Sequence, residues 1–110
     1  MSHSVEVFGV APDGRPHRTP TVTRFDGQVP FAVDFDRYGR LAVVFAGGSS
    51  VGLCDLRHDG SLGELAQQAT GQRASCWIVG IGNQLYVSNA GSASVTRLTT
   101  GRTGALDLHE

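Results

Sequence analysis

Lysine is absent from these 110 residues; all nine basic side chains are arginine, and isoleucine and asparagine occur only twice each. Charged residues make up 17% of the chain and the net charge is -1. A phosphate-backbone binder carries a basic stripe, whereas these arginines, from Arg15 to Arg102, are scattered over turns and strand edges, so nucleic acid is excluded as a partner. Two cysteines, Cys54 and Cys76, are too few for a disulfide scaffold. They fall at different ranks of neighbouring repeats and are expected as buried thiols rather than a bridge. No apolar run reaches membrane-spanning length, and no membrane partner is expected. Met1-Ser2-His3-Ser4 lacks the basic start of a signal peptide, and Val5 to Val10 is too short for its apolar core. The expected compartment is therefore cytoplasmic by default.

Chemical motifs are equally sparse. His3, His17, His58 and His109 lie far apart with no metal-ligand spacing. Ser49, Ser50, Ser92 and Ser94 lack a nucleophile-elbow context. Gly80-Ile81-Gly82 sits in a hairpin rather than a strand-to-helix turn, so it is no dinucleotide loop. No metal and no cofactor is implied.

What the chain does have is an echo of itself. Ser4-Val5 recurs as Ser50-Val51 and Ser94-Val95, and the turn Asp13-Gly14 recurs as Asp59-Gly60 and Thr103-Gly104, with spacings of 46 and 44 residues in both series. A period in this range, made of short alternating runs and glycine turns, marks the blades of a β-propeller. The runs read as strands: Val5–Val10 and Thr21–Phe25; then Phe31–Phe35, Leu41–Phe45, Val51–Leu56 and Leu62–Ala69; then Cys76–Ile81, Leu85–Asn89, Val95–Leu98 and Ala105–Leu108. Gly63 to Gln68 alone reads as a helical turn, but the repeat overrules that propensity. The expected fold is all-β: a partial β-propeller of about two and a half four-stranded antiparallel blades. Residues 1–28 form the outer two strands of one blade, 29–72 a complete blade, and 73–110 a further blade with a shortened outer strand.

Ala74-Ser75-Cys76-Trp77 and Leu85-Tyr86-Val87-Ser88-Asn89-Ala90-Gly91-Ser92-Ala93-Ser94-Val95 resemble the bacterial lactonase-like β-propeller family, related to the 6-phosphogluconolactonase type. Val29-Pro30-Phe31-Ala32-Val33-Asp34-Phe35-Asp36, followed by Gly39 and Leu41, fits the same pattern. The resemblance implies a ring of seven blades, often secreted, and hydrolysis of a small sugar lactone. No motif here receives a catalytic residue of the family. Thr103-Gly104 departs from its acidic turn.

Four residues are candidates to face a ligand. Gln28 and Gln72, 44 residues apart, each precede an innermost strand, where propeller loops gather at the channel mouth. With Arg73, which favours acidic groups, they form one candidate set; the plain alternative is solvated turn residues. Asp34 lies within an innermost strand, where burial on both faces is expected. It is a candidate general base, or else a carboxylate held by amides or exposed by an incomplete ring. Trp77 is expected to pack between blades, and Asn89 to tie the hairpin ahead of Val95. Asp13, Asp36 and Asp59 read as turn chemistry. Catalytic residues stay unassigned. The expected function is a non-catalytic structural or binding module that self-associates or joins further blades. The alternative is a sugar-lactone hydrolase active only in a complete or assembled ring.

Overall fold

The computed structural model describes residues 3–109. Ten strands follow in chain order: β1 Ser4–Val7, β2 Thr21–Arg24, β3 Pro30–Phe35, β4 Leu41–Phe45, β5 Ser50–Leu56, β6 Leu62–Ala69, β7 Ser75–Ile81, β8 Gln84–Asn89, β9 Ser94–Thr100 and β10 Leu106–His109. They form a two-stranded ribbon, β1-β2, and two four-stranded antiparallel sheets, β3-β4-β5-β6 and β7-β8-β9-β10. Among the described residues there is no helix; Gly63 to Gln68 lies inside β6. The architecture is all-β and that of a partial propeller: half a blade, a middle blade and a trailing blade.

Short hairpins build each unit because the turn chemistry repeats. Asp13 Oδ1 accepts the Arg15 N–H at 3.0 Å, Asp36 Oδ1 that of Tyr38 at 2.9 Å, and Asp59 Oδ1 that of Ser61 at 2.9 Å. These are side-chain-capped turns, each followed by a glycine at positive φ. The backbone repeats as well. Val29 and Ala74, just ahead of β3 and β7, have φ of 51° and 54°; Ser49 and Ala93, just ahead of β5 and β9, have 50° and 51°. Non-glycine residues seldom adopt this region, so the recurrence reflects the same bend imposed twice.

Most ends fall within a residue of the sequence reading, and two elements differ by more. β1 stops at Val7, and Val10 makes only an isolated bridge to Pro16. Gly9 explains the break: a Cβ there would meet the His17 ring at 2.9 Å, so ribbon and loop touch backbone to ring. β9 runs on to Thr100, because it pairs with β8 on one side and β10 on the other.

Two apolar clusters hold the sheets together. One lies under the ribbon: Phe25, Leu41, Val43, Phe45, Cys54 and Leu62, with Val5 and Leu56 against it. The other fills the seam between middle and trailing blades, with Ala42, Val44, Val51 and Leu53 on one side and Leu85, Val87, Leu98 and Leu106 on the other. Strand alternation produces this division. In β4 every residue is buried, odd ones toward the ribbon and even ones toward the trailing blade.

Candidate functional site

The loops entering β3 and β7 lie at the same end of their blades. The Gln28 carbonyl accepts the Gly47 N–H at 3.2 Å and the Val29 carbonyl that of Ala46 at 2.9 Å; Arg73 and Ala74 accept from Gly91 and Ala90, each at 3.0 Å. By this geometry Arg73, not Gln72, is the counterpart of Gln28. The difference of one residue from the sequence spacing is absorbed in the β3–β4 turn, where five residues separate Phe35 from Leu41, against four between Gly80 and Leu85.

Gln28 Oε1 accepts from Gln67 Nε2 at 2.8 Å, and Gln67 Nε2 also reaches Ser50 Oγ at 2.9 Å. With Gly47 and Phe45 these side chains line an uncharged surface cleft of about 530 Å³. Gln72 is held elsewhere: its N–H donates to Thr70 Oγ1 at 3.1 Å, and its Oε1 accepts from Ser94 Oγ at 3.3 Å. The Arg73 N–H donates to Ser92 Oγ at 2.7 Å, while its side chain is exposed and makes no hydrogen bond or ion pair among the described residues. The two glutamines share an end of the molecule but no hydrogen-bond partner.

Asp34 sits at the other end of β3, four residues and about 13 Å of extended chain beyond Pro30. It is half-buried rather than enclosed on both faces. Its Oδ1 accepts the Phe35 N–H at 2.8 Å, and its Oδ2 accepts the Gly80 N–H of the next blade at 2.7 Å. Gly80 makes this possible, since a Cβ there would run into the Phe35 carbonyl. Asp34 is thus a clasp between innermost strands, its oxygens aimed at backbone amides rather than at open space.

Two polar devices escaped the sequence reading. At the loop end of the seam, Thr70 Oγ1 meets Ser75 Oγ at 2.8 Å. Ser75 Oγ donates to Asn89 Oδ1 at 2.6 Å, and Asn89 Nδ2 donates to Thr96 Oγ1 at 2.8 Å and Ser94 Oγ at 3.2 Å. Thr70, Ser75, Asn89 and Thr96 are all buried. Asn89 therefore ties its hairpin as expected and also locks the neighbouring blade. At the opposite end Asp36 and Arg40 form a buried ion pair at 2.8 Å, and the Arg40 guanidinium reaches on to the carbonyls of Gly101 and Arg102. It braces the Thr103-Gly104 turn, the member of the repeated Asp-Gly series that lacks the acidic residue. The Asp-x-x-x-Arg spacing across a tight turn was the available signal.

The thiols divide. Cys54 is buried under the ribbon, and desolvation, with the Glu64 carboxylate second, pushes its pKa up to about 11. Cys76 is only half-buried, against expectation; it sits in the register shift between Ser75 and Trp77. Both are unbridged.

Trp77 corrects the sequence reading most plainly. It is 64% exposed and touches Phe31 edge-on, with ring centroids 6.0 Å apart. It stands at the mouth of an open apolar cleft of about 710 Å³, lined also by Val33, Val79, Tyr86 and Val95. The covered side of this blade is the one bearing Leu85, Val87 and Leu98; strand alternation sends Trp77, Tyr86 and Val95 the other way.

No family model and no curated protein matches this chain. Among solved structures, the crystal structure of a protein from Lactobacillus plantarum is similar, with a TM-score of 0.84 at 21% identity over 98% of this chain and 35% of that one. The likeness shows the fold. The chain spans 35% of the length of that protein.

Proposed function

We propose that the chain is a propeller section that acts as a structural or binding module through its open blade faces and does not catalyse on its own. The observation that carries this reading is the contrast in coverage. The seam between the two full blades is closed by a continuous buried cluster. Outside it, Val33 and Phe35 of the middle blade and Trp77, Val79 and Val95 of the trailing blade are exposed, and Phe31, also exposed, touches Trp77. Apolar patches of this kind mark interaction sites, and a terminal repeat needs a cap or a neighbour. Further blades, or further copies of the chain, are the partners that fit. The sequence resemblance to lactonase-like propellers supports a second reading, hydrolysis of a sugar lactone in a complete ring. The unpaired Arg73 guanidinium and the Gln28–Gln67 cleft at one end would then meet hydroxyls and an acidic substituent. Productive geometry needs groups held from several sides, which two blades do not provide.

The test is the solution mass of the pure chain together with turnover of a sugar lactone. We expect association that weakens on Trp77→Ala, and no enzyme-like turnover. A dispersed monomer at high concentration, or hydrolysis by monomer that Asp34→Ala abolishes, would overturn the reading.

A further inference from the structure

The outward face of the trailing blade occupies the same place in the repeat as the face that the middle blade turns into the seam, yet it carries different side chains. Register aligns the two. Across the middle blade, Ala32 lies opposite Val44 and Val44 opposite Val51; one rung on, Ala42 lies opposite Leu53. Across the trailing blade the same rungs read Trp77, Ser88 and Val95, then Tyr86 and Arg97. The covered set is small, apolar and at most 9% exposed. In the open set an indole and a phenol stand where the seam has alanines, and a guanidinium stands where it has Leu53. A blade laid on this face as closely as in the seam would bury Arg97 without a partner, which is strongly unfavourable. Tryptophan, tyrosine and arginine are instead the residues that anchor contacts between separately folded proteins.

The face also complements itself. Trp77 is 64% exposed beside an open cleft of about 710 Å³. Arg97 has no ion-pair partner among the described residues. It lies two strands over and one rung along from Trp77, roughly 12 Å away, with Ser88 and Tyr86 of β8 between them. A two-fold axis in the plane of contact, crossing β8 between those two residues, exchanges the positions of Trp77 and Arg97. It sets each guanidinium over the other copy's indole, a favourable cation–aromatic contact. The contact forms twice, because a two-fold interface uses the same patch on both copies.

We propose that the trailing face pairs with the same face of a second copy, Arg97 of each copy lying on Trp77 of the partner subunit. The proposal rests on the assembly reading and names its partner and geometry: a closed pair rather than a stack of blades. The face is four strands wide, about 15 Å, which is small for a stable interface. The pair is therefore expected to form between roughly 10 μM and 1 mM.

The experiment is sedimentation equilibrium of the pure chain over that range, with tryptophan fluorescence alongside. We expect the mass to level at twice that of the chain. The emission of Trp77, the single tryptophan, should shift to shorter wavelength over the same concentrations. Arg97→Ala should raise the dissociation constant by about five- to thirtyfold, since the contact is lost twice in each pair. Val22→Glu should leave it unchanged: Val22 is 49% exposed on the ribbon face turned away from the middle blade. A mass that climbs past two chains, or a pair weakened by Val22→Glu, would overturn the two-fold proposal in favour of head-to-tail stacking and leave the assembly reading standing. A pair that Arg97→Ala leaves intact would also overturn the proposal alone. A monomer throughout the range would overturn both.

Discussion

The same place in the blade repeat is built twice with opposite chemistry. In the seam between ribbon and middle blade, Pro30 lies opposite Phe45 across the β3–β4 pair, Phe25 packs on Phe45 at a tilt of 52° with ring centroids 5.1 Å apart, and Gly52 leaves room for the ring. In the seam between middle and trailing blades, Ser75 lies opposite Asn89 across β7–β8, Thr70 stands where Phe25 stood, and Thr96 replaces Gly52. One plug is aromatic, the other a closed hydrogen-bond network. Both work because each satisfies its own rule. An aromatic ring needs volume, and Gly52 grants it: a Cβ there would meet Phe45 Cε2 at 2.7 Å. A buried amide needs partners, and Asn89 has them on both its oxygen and its nitrogen. The backbone repeat sets the slots, and the contents of a slot are chosen together or not at all.

Four measurements would break or sharpen this contrast. Phe45→Ala should have the largest effect, about 3–5 kcal/mol lost in chemical denaturation, because it empties a fully buried ring site. A loss below about 1 kcal/mol would mean that Phe25 collapses into the gap and the aromatic plug is soft.

Asn89→Ala should cost about 2–3 kcal/mol, since it strands the hydroxyls of Ser75 and Thr96 in a buried site. The sharper version transplants the aromatic set, with Thr70→Phe, Ser75→Pro, Asn89→Phe and Thr96→Gly together. The combined variant should be more stable than Asn89→Phe alone. If it is not, the two slots are not interchangeable.

The two plugs should also differ with pH. Cys54 belongs to the ribbon cluster, and its pKa is raised from 9.0 to about 11. The folded state therefore holds its proton longer than the unfolded state. The stabilisation is complete below pH 9 and fades as pH rises through about 11, by on the order of 2 kcal/mol. Cys54→Ala should flatten that alkaline fall, whereas nothing in the Asn89 network titrates there. A fall of equal size in Cys54→Ala would assign it to another group.

The smallest change is expected from Trp77→Ala, within about 0.5 kcal/mol of the parent, because the side chain is exposed rather than packed between blades. A large drop in melting temperature that is independent of protein concentration would show that the ring is covered within a single chain.

Much of the architecture was legible before any coordinates. The repeated Ser-Val and Asp-Gly pairs, with period-2 runs between them, mark all ten strands to within a few residues, because turn chemistry and strand alternation are local properties. The Asp-Gly turns needed no tertiary context; the choice of strand over helix in β6 went against local propensity and rested on the long repeat. The candidate site was less legible. Gln28, Gln72 and Arg73 do share one end of the blades, but which partner holds each side chain depends on neighbours up to 39 residues away, as Gln67 is from Gln28. Asp34 reads as an isolated acid in a strand. Only the approach of β7, with Gly80 presenting its N–H, makes it a clasp.

What the sequence by itself determined is therefore the repeat, its turns and the alternation of its strands, since each rests on interactions within a few residues. What only the tertiary structure decided is which side of each strand found a neighbour. Val43 and Val33 are the same residue type, directly paired on one face. One is buried and the other half exposed because the ribbon ends between them. Ile78 and Trp77 are adjacent in β7, yet only Ile78 packs against the buried seam cluster, while Trp77 meets Phe31 at the surface. Coverage is a property of what lies across a seam, and apolar side chains write the same pattern into a sequence whether or not anything has come to cover them.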